Sequence, residues 1–153
     1  MRIAVGGDHA GYELKEYLVP WLQNAGHDVV DLGAHEFDAD DDYPDFAAAV
    51  ARTVSAGEAE RGIVFCGSGV GACVTANKVQ GVRACLCHDP YSGRQGVEHD
   101  AMNVLCLGGR IIGQELSKLV VEAFLSANFI PEPRFQRRLD KLLKVEAEGS
   151  SGG

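Results

Sequence analysis

Cys66 stands where an apolar run, residues 63–65, meets a glycine-rich loop. Gly67, Gly69 and Gly71 follow it at alternate positions, and the next segment is able to form a helix. This layout predicts a buried strand, a tight turn and a helix N-terminus, whose free amides and partial positive charge bind anions. The same field stabilises a thiolate. We therefore expect a reactive thiol beside an anion cradle, an arrangement suited to an anionic substrate or intermediate.

The glycine loop also fits two other phosphate-binding patterns in part. Gly67-x-Gly69-x-x-Ala72 matches the dinucleotide pattern, and Asp89 lies near the expected distance downstream. The loop follows the third predicted strand rather than the first, and the chain has no room for a separate substrate domain, so NAD binding is disfavoured. No Gly-Lys-Ser/Thr ends the loop, which argues against a P-loop. No arginine closes it, as a cysteine phosphatase would require.

Further candidate site residues flank other predicted strands. Asp8 and His9 follow the first strand, whereas His99 and Asp100 come shortly before the fifth. Guanidinium groups bind phosphate through paired hydrogen bonds. The arginines that are candidates for such a clamp are Arg110, Arg134, Arg137 and Arg138.

The remaining cysteines are predicted to pack in the core rather than to react. The chain has five cysteines, an odd number, mostly in apolar segments, which indicates reduced thiols in a reducing compartment. Cys85 and Cys87 beside His88 have part of the chemistry of a zinc site, but no second ligand pair has the spacing of a structural site. We therefore expect no metal. The other cysteines predicted to pack are Cys73 and Cys106.

Composition limits the classes of function. The chain has 153 residues, 46% of them hydrophobic and 24% charged, and a net charge of −8. This predicts one domain, residues 1–148, followed by a flexible tail, residues 149–153. The acidic balance disfavours nucleic-acid binding. No apolar stretch approaches the ~20 residues of a membrane span, and no signal-type segment opens the chain, so we expect a cytoplasmic protein.

Short apolar runs alternate with helical patterns along the chain. The predicted strands cover residues 2–6, 28–32, 62–66, 82–87 and 103–107, and the predicted helices cover residues 12–24, 44–55, 70–78, 91–99 and 112–125. This order predicts an α/β fold, a three-layer Rossmann-like sandwich with a five-stranded parallel sheet. Ligands of such sheets bind beyond the carboxyl ends of the strands, where the strand order reverses.

Two helices carry predicted apolar faces. In the fifth helix the face comprises Leu116, Leu119, Val120 and Ala123. A last, appended helix follows Pro131 and Pro133, and its apolar face comprises Phe135, Leu139, Leu142 and Leu143. This last face needs a partner surface, which a second subunit can supply. The acidic run at residues 38–42 is predicted to be a solvated loop.

The chain resembles the ribose-5-phosphate isomerase B family, which also includes allose- and galactose-6-phosphate isomerases. The resemblance covers nearly the whole chain. The matching segments are GDHAG at 7–11, DYPDFA at 42–47, FCGSGVG at 65–71, ANKVQGVRA at 76–84, HDPYS at 88–92, EHDAMNVLCLGGRIIG at 98–113 and RFQRRL at 134–139.

The resemblance implies aldose–ketose isomerisation without a cofactor, in a homodimer or dimer of dimers whose active sites lie at the subunit boundary. It makes Cys66 the base, because Ala72 stands where another branch has a glutamate. It assigns His99 to opening the sugar ring. The residues matched to holding the enediolate are Ser68 and the amides of Gly67, Gly69, Val70 and Gly71. Those matched to the pocket and the phosphate are Asp8, His9, Tyr43, Arg110, Arg134 and Arg138.

Two positions depart from the family pattern. Asp100 stands where many members have asparagine, and Phe135 where many have histidine. The expected substrate is D-ribose 5-phosphate, converted to D-ribulose 5-phosphate. The alternatives are another sugar phosphate, such as allose 6-phosphate or a tetrulose phosphate, and a non-catalytic sensor of sugar phosphates or nucleotides.

Overall fold

The computed structural model describes residues 1–152, in which strands and helices alternate up to a final pair of consecutive helices. The strands are β1 (Arg2–Gly7), β2 (Asp28–Asp31), β3 (Arg61–Cys66), β4 (Ala84–Leu86) and β5 (Val104–Gly108). The helices are α1 (Tyr12–Asn24), α2 (Tyr43–Ser55), α3 (Val70–Ala76), α4 (Pro90–Asp100), α5 (Gln114–Ser126) and α6 (Pro133–Ser150).

All strand pairs are parallel, and the sheet order is β2-β1-β3-β5-β4. One face of the sheet packs on α1, α4 and α5 around Phe65, Leu105 and Phe124. The other face packs on α2 and α3 around Val50 and Val64. Because both faces are covered, the central strands are apolar on both sides. The predicted α/β sandwich with a five-stranded parallel sheet is confirmed.

The order of the strands reverses between β1 and β3. From β1 the chain moves to β2 on one side, and then crosses to β3 on the other side. A crevice opens at the carboxyl ends of two strands whose connections leave in opposite directions. The sheet topology therefore selects the ends of β1 and β3, which carry Asp8 and Cys66, as the place for a ligand.

Two elements are shorter than the sequence pattern predicts, and side chains explain why. The third helix ends at Ala76 rather than near Lys78, because the Asn77 side chain bonds to the backbone N–H (2.8 Å) and C=O (2.9 Å) of Ala84. The fourth strand begins at Ala84 rather than Val82, because Asn103 Oδ1 accepts the N–H of Arg83. Both amide side chains replace main-chain pairing at the end of an element.

The predicted apolar face of the fifth helix is wrong in phase. Leu116 and Leu119 are 42% and 54% exposed, and Ala123 is half-buried. Of the predicted set, only Val120 is buried. The residues that the helix buries are Ser117, Val120, Val121, Phe124 and Leu125. The prediction failed because two exposed leucines extend the apolar spacing of the buried residues. Spacing alone does not show which of two overlapping apolar faces packs on the sheet.

The appended helix α6 packs on the chain mainly through its first turns. Among the helix residues that the structure describes, Phe135 alone is buried. Leu142 and Leu143 are 40% and 37% exposed. The predicted tail, residues 149–153, begins inside this helix, since α6 reaches Ser150, and Gly153 lies outside the described residues. Within residues 1–152, no helix combines the length and apolar character that crossing a membrane requires.

Candidate active site

A cavity of about 350 Å³ opens at the carboxyl ends of β1 and β3, at the reversal of strand order. It combines a thiol, a histidine, a carboxylate and a guanidinium with small loop residues. The residues that line it are Asp8, His9, Ala10, Tyr43, Cys66, Gly67, Ser68, Gly71, Arg110 and Ile111. Seven of the predicted site residues, from the end of β1, the glycine loop and the start of α2, therefore share one crevice with Arg110.

Cys66 ends β3 with its side chain buried beneath the glycine loop. The N–H of Gly69 donates to its Sγ at 3.1 Å. Gly69 has φ +84°, a conformation that favours glycine and turns its amide toward the sulfur. This bond holds the sulfur against the turn that begins the loop. The Gly69 N–H thus donates to the thiol, whereas the resemblance predicted that it would donate to the substrate.

The loop is held by backbone bonds to the end of β5. Gly109 donates to the C=O of Cys66 at 2.7 Å, and Arg110 donates to the C=O of Gly67 at 3.0 Å. The second bond places the Arg110 side chain beside the loop. A Cβ on Gly71 would lie 2.5 Å from the Tyr43 ring, so glycine there lets the ring lie against the first turn of α3. The first amides of a helix have no backbone partner within it, and Gly71, in the first turn of α3, lines this crevice.

His9 is paired with an aspartate that the sequence left in a solvated loop. Asp41 Oδ1 lies 2.7 Å from His9 Nδ1 and also accepts the backbone N–H of His9 at 2.9 Å. The hydrogen bond with Asp41 raises the pKa of His9, with a smaller contribution from the charge of Asp8. Only the acidic run around Asp41 was visible in the sequence, and such runs are usually solvated. The structure therefore adds Asp41 to the site.

Asp8 has a structural task as well as a place in the cavity wall. Its Oδ1 accepts the N–H groups of Ala10 and Gly11 at 3.0 and 3.1 Å, which shapes the turn into α1. Asp8, His9 and Asp41 bring ligand-type atoms within 4.8 Å of one another. Hydrogen bonds within the protein already engage an oxygen of each carboxylate and Nδ1 of the histidine. We therefore assign this cluster to hydrogen bonding rather than to metal binding.

His88 supports the site from the neighbouring strand, a role that the sequence did not suggest. Its Nε2 accepts the N–H of Gly108 at 3.0 Å, directly below the loop. Burial lowers the pKa of His88, which keeps the ring neutral and able to accept. A Cβ on Gly108 would lie 2.6 Å from the backbone of Ser68, so this contact is tight. His88 thus fixes the end of β5 against the loop.

The other predicted site residues lie at the opposite edge of the sheet. His99 and Asp100 end α4, just before β5 begins. They therefore lie at the amino edge, the edge of the sheet where the strands start. The length of β5 separates this edge from the carboxyl edge by roughly 15 Å. Arg134 and Arg138 are exposed on α6, whose Phe135 stacks on His99. None of these four predicted residues lines the Cys66 cavity. The structure therefore divides the predicted site into two separate groups.

Among the other thiols, Cys73 has distinctive chemistry. A hydrogen bond with Cys106 lowers the pKa of Cys73 to about 6 and, together with burial, raises that of Cys106. Burial raises the pKa of Cys87 to about 12. Cys73 lies half-buried behind β4 and outside the wall of the Cys66 cavity. Its position is that of a packing residue, as the sequence suggested.

Comparison with known proteins gives consistent matches. The sequence profile of a family described as Ribose/Galactose Isomerase matches residues 3–142. Ribose-5-phosphate isomerase B of Escherichia coli is 40% identical over 145 residues, which are 95% of this chain and 96% of that protein. The D-erythrulose-4-phosphate isomerase of Pectobacterium atrosepticum is 40% identical over 129 residues, 84% of this chain and 85% of that protein.

A solved structure agrees over the same length. The crystal structure of ribose-5-phosphate isomerase B from Mycoplasma genitalium, with bound ribulose-5-phosphate, superposes with a TM-score of 0.91 at 42% identity. The match covers 96% of this chain and 97% of that one. The similarity therefore extends over both edges of the sheet and includes α6.

Proposed function

Because the chain belongs to the ribose/galactose isomerase family, we propose that it interconverts D-ribose 5-phosphate and D-ribulose 5-phosphate with Cys66 as the base. One observation carries the assignment of Cys66: its sulfur accepts a loop amide in a cavity that also presents His9 and Arg110. A thiol, an imidazole and a guanidinium meet there, where the strand order of the sheet reverses. This is what proton transfer on an anionic sugar requires.

The reaction begins with the cyclic sugar. Opening the ring breaks the C1–O4 bond, while the anomeric hydroxyl loses a proton and O4 gains one. His99 supplies this transfer, since an imidazole both accepts and donates a proton near neutral pH. The product is an open-chain aldehyde with an acidic hydrogen on C2.

Cys66 then takes the C2 proton, and the electron pair forms an enediolate with negative charge on O1. Ser68 and the free amides of the loop donate to this oxygen, an effect that is often worth several kcal/mol. A proton passes from O2 to O1, and the C2 carbonyl forms as Cys66 returns its proton to C1. Arg110 and His9 hold the phosphate and so align the carbon chain.

We also propose that each active site takes its two groups from different subunits of a homodimer or dimer of dimers. The cavity of one subunit supplies Cys66, and the amino edge of its partner supplies His99, because roughly 15 Å separates these edges within one chain. The exposed side chains of α6 support this arrangement, since an amphipathic helix needs a surface on which to pack.

The site also supports a tetrose phosphate as a second candidate substrate. The Pectobacterium atrosepticum relative, a D-erythrulose-4-phosphate isomerase, is as similar in identity as the Escherichia coli isomerase. Asp100, which is exposed at the amino edge, is a candidate to accept a hydrogen bond from a sugar hydroxyl and so to discriminate between substrates. An allose 6-phosphate isomerase and a non-catalytic sensor have no such observation in their favour.

Purified protein tests the proposal directly. Ribose 5-phosphate should be turned over faster than erythrulose 4-phosphate and allose 6-phosphate. Cys66→Ala should bind ribulose 5-phosphate but lose roughly a thousandfold or more in kcat, together with exchange of substrate hydrogen for solvent deuterium. If the wild-type protein turns over none of these sugars, the remaining alternative is the non-catalytic sensor. If Cys66→Ala exchanges substrate hydrogen for solvent deuterium at the wild-type rate, Cys66 is not the base. Asp8 is then the first candidate for that role.

A further inference from the structure

His99, at the amino edge, is held by two neighbouring side chains. Gln95, one helical turn earlier on α4, places its Nε2 2.9 Å from His99 Nδ1. The Phe135 ring stacks on the imidazole with 4.0 Å between the ring centres and 19° between the planes. Within residues 1–152, the other ring nitrogen, Nε2, has no hydrogen-bond partner. One nitrogen is therefore occupied by the protein and the other is left for a ligand.

The hydrogen bond at Nδ1 determines how the ring can act. A glutamine side chain that donates to Nδ1 leaves the ring proton on Nε2, whereas one that accepts from Nδ1–H leaves Nε2 unprotonated. Either orientation of the Gln95 amide makes Nε2 the nitrogen that exchanges protons. Without Gln95 the proton would distribute over both nitrogens, and the reactive one would not be defined.

The stacking contact fixes the plane of the same ring. Phe135 is 3% exposed, and the Arg134 guanidinium lies 4.6 Å from the centre of its ring on α6. The terminal torsion of histidine is broad in energy, so the ring turns easily unless a neighbour covers its face. Phe135 supplies this cover from α6, a helix that has no other buried residue in its described length.

We infer that Gln95 and Phe135 are positioning residues for His99: Gln95 selects Nε2 as the reactive nitrogen, and Phe135 holds the ring plane toward the partner's cavity. The inference rests on the proposed ring-opening role of His99. It also gives α6 a role beyond packing on a second subunit. The first turn of α6 packs on the chain through Phe135 and so sets the orientation of His99, which acts in the partner's site. The effect is specific to ring opening, because neither residue touches the Cys66 cavity.

Two substrates separate this role from a general structural one. Ribose 5-phosphate closes a five-membered ring through O4 and needs opening. Ribulose 5-phosphate does not close such a ring, because its O5 carries the phosphate. Turnover of ribose 5-phosphate therefore reports on His99, whereas exchange of the C1 hydrogen of ribulose 5-phosphate for solvent deuterium reports on Cys66 alone.

Gln95→Leu should lower kcat for ribose 5-phosphate roughly tenfold, as expected for a misaligned proton-transfer group. Phe135→Leu should lower it roughly fivefold, the loss expected for a stacked ring pair. Both variants should exchange the C1 hydrogen of ribulose 5-phosphate at the wild-type rate. Gln95→Glu, which keeps an oxygen for Nδ1–H, and Phe135→Tyr, which keeps the ring, should restore turnover.

Gln136→Leu is the matched control, because Gln136 is an exposed glutamine on α6 that bonds only to Asp140, one turn away. Wild-type turnover of ribose 5-phosphate in Gln95→Leu and Phe135→Leu would overturn the inference, and so would an equal loss of turnover and exchange. If His99→Ala lowers both measurements equally, the ring-opening role fails, and with it the inference. If the wild-type protein turns over no ribose 5-phosphate, the proposed function itself fails.

Discussion

The two edges of the sheet carry the two groups of predicted site residues but are built in different ways. At the carboxyl edge, Cys66 is 4% exposed and a loop amide donates to its sulfur. At the amino edge, Arg134 and Arg138 project from a helix that buries one of its described residues. The carboxyl edge brings its predicted groups into one cavity, whereas the cavity of about 830 Å³ at the amino edge is lined by Asp100 but not by His99, Arg134 or Arg138. Under the dimer proposed above, the two edges are half-sites, and the cavity of one subunit receives the amino edge of its partner.

Complementation between damaged subunits gives the largest expected effect. Cys66→Ala and His99→Ala each damage a different edge, so a dimer with one chain of each keeps one intact composite site. Dimers isolated through two different affinity tags should regain about half of the wild-type activity on ribose 5-phosphate. Each variant alone should be strongly impaired.

The matched control for complementation pairs two lesions at the same edge. A dimer of two differently tagged Cys66→Ala chains should stay inactive, because both of its composite sites then lack the thiol. If the Cys66→Ala and His99→Ala dimer stays as inactive as the separate variants, the two edges do not share a site, and the comparison between them loses its functional meaning.

Loss of one arginine at the amino edge should give the next largest effect. Arg138→Ala should raise KM for ribose 5-phosphate roughly tenfold, because a charge-assisted bond to phosphate is lost. Free ribose should be a very poor substrate for the wild-type protein. Arg137→Ala, at the neighbouring exposed position, is the control and should leave KM near the wild-type value. Steady-state kinetics decide the matter, and equal turnover of ribose and ribose 5-phosphate would contradict the phosphate clamp.

The His9–Asp41 pair should make phosphate binding at the carboxyl edge depend on pH. Hydrogen bonding to Asp41 raises the pKa of His9 above 6.5, so the ring keeps its positive charge to higher pH than a free histidine. In Asp41→Asn this charge should be lost nearer pH 6.5, and KM should begin to rise at a lower pH than in the wild type. KM measured between about pH 6 and 9 checks this. Asp40→Asn in the same loop is the control, and identical profiles for both variants would remove Asp41 from the site.

The smallest expected effect concerns stability at the carboxyl edge. Burial lowers the pKa of His88 in the folded protein, so the unfolded chain binds the proton more readily. The bond from the Gly108 N–H therefore stabilises the fold fully above about pH 6.5 and is lost as pH falls through the lowered pKa. His88→Phe should reduce the free energy of unfolding by about 1–3 kcal/mol at pH 8, because a buried donor loses its partner.

Thermal unfolding between pH 5 and 8 separates His88 from the other histidines. The His88→Phe variant should lose part of the acid-side dependence seen in the wild type. His35→Phe, at an exposed position, should behave like the wild type. If the His88 and His35 variants unfold alike at every pH, His88 does not support the loop.

The sequence by itself determined the class of fold and the carboxyl half of the site. Alternation of apolar runs with helical patterns indicates a parallel sheet, and its geometry brings the strand ends after Gly7 and Phe65 to one edge. The glycine spacing after Cys66 predicted the turn, since only glycine readily adopts the positive φ found at Gly69. These features are local, and local rules of backbone conformation and burial govern them.

Only the tertiary structure decided which predicted residues meet. Asp41 reaches His9 across 32 positions of sequence, and His88 reaches Gly108 across 20, through folded loops that no local pattern specifies. The spacing of leucines on α5 did not show which face meets the sheet. The resemblance assigned His99 and Cys66 to one active site at a subunit boundary, and within the chain β5 holds the two at opposite edges. Sequence reports the chemistry of a residue and its element, but distances depend on how the elements pack.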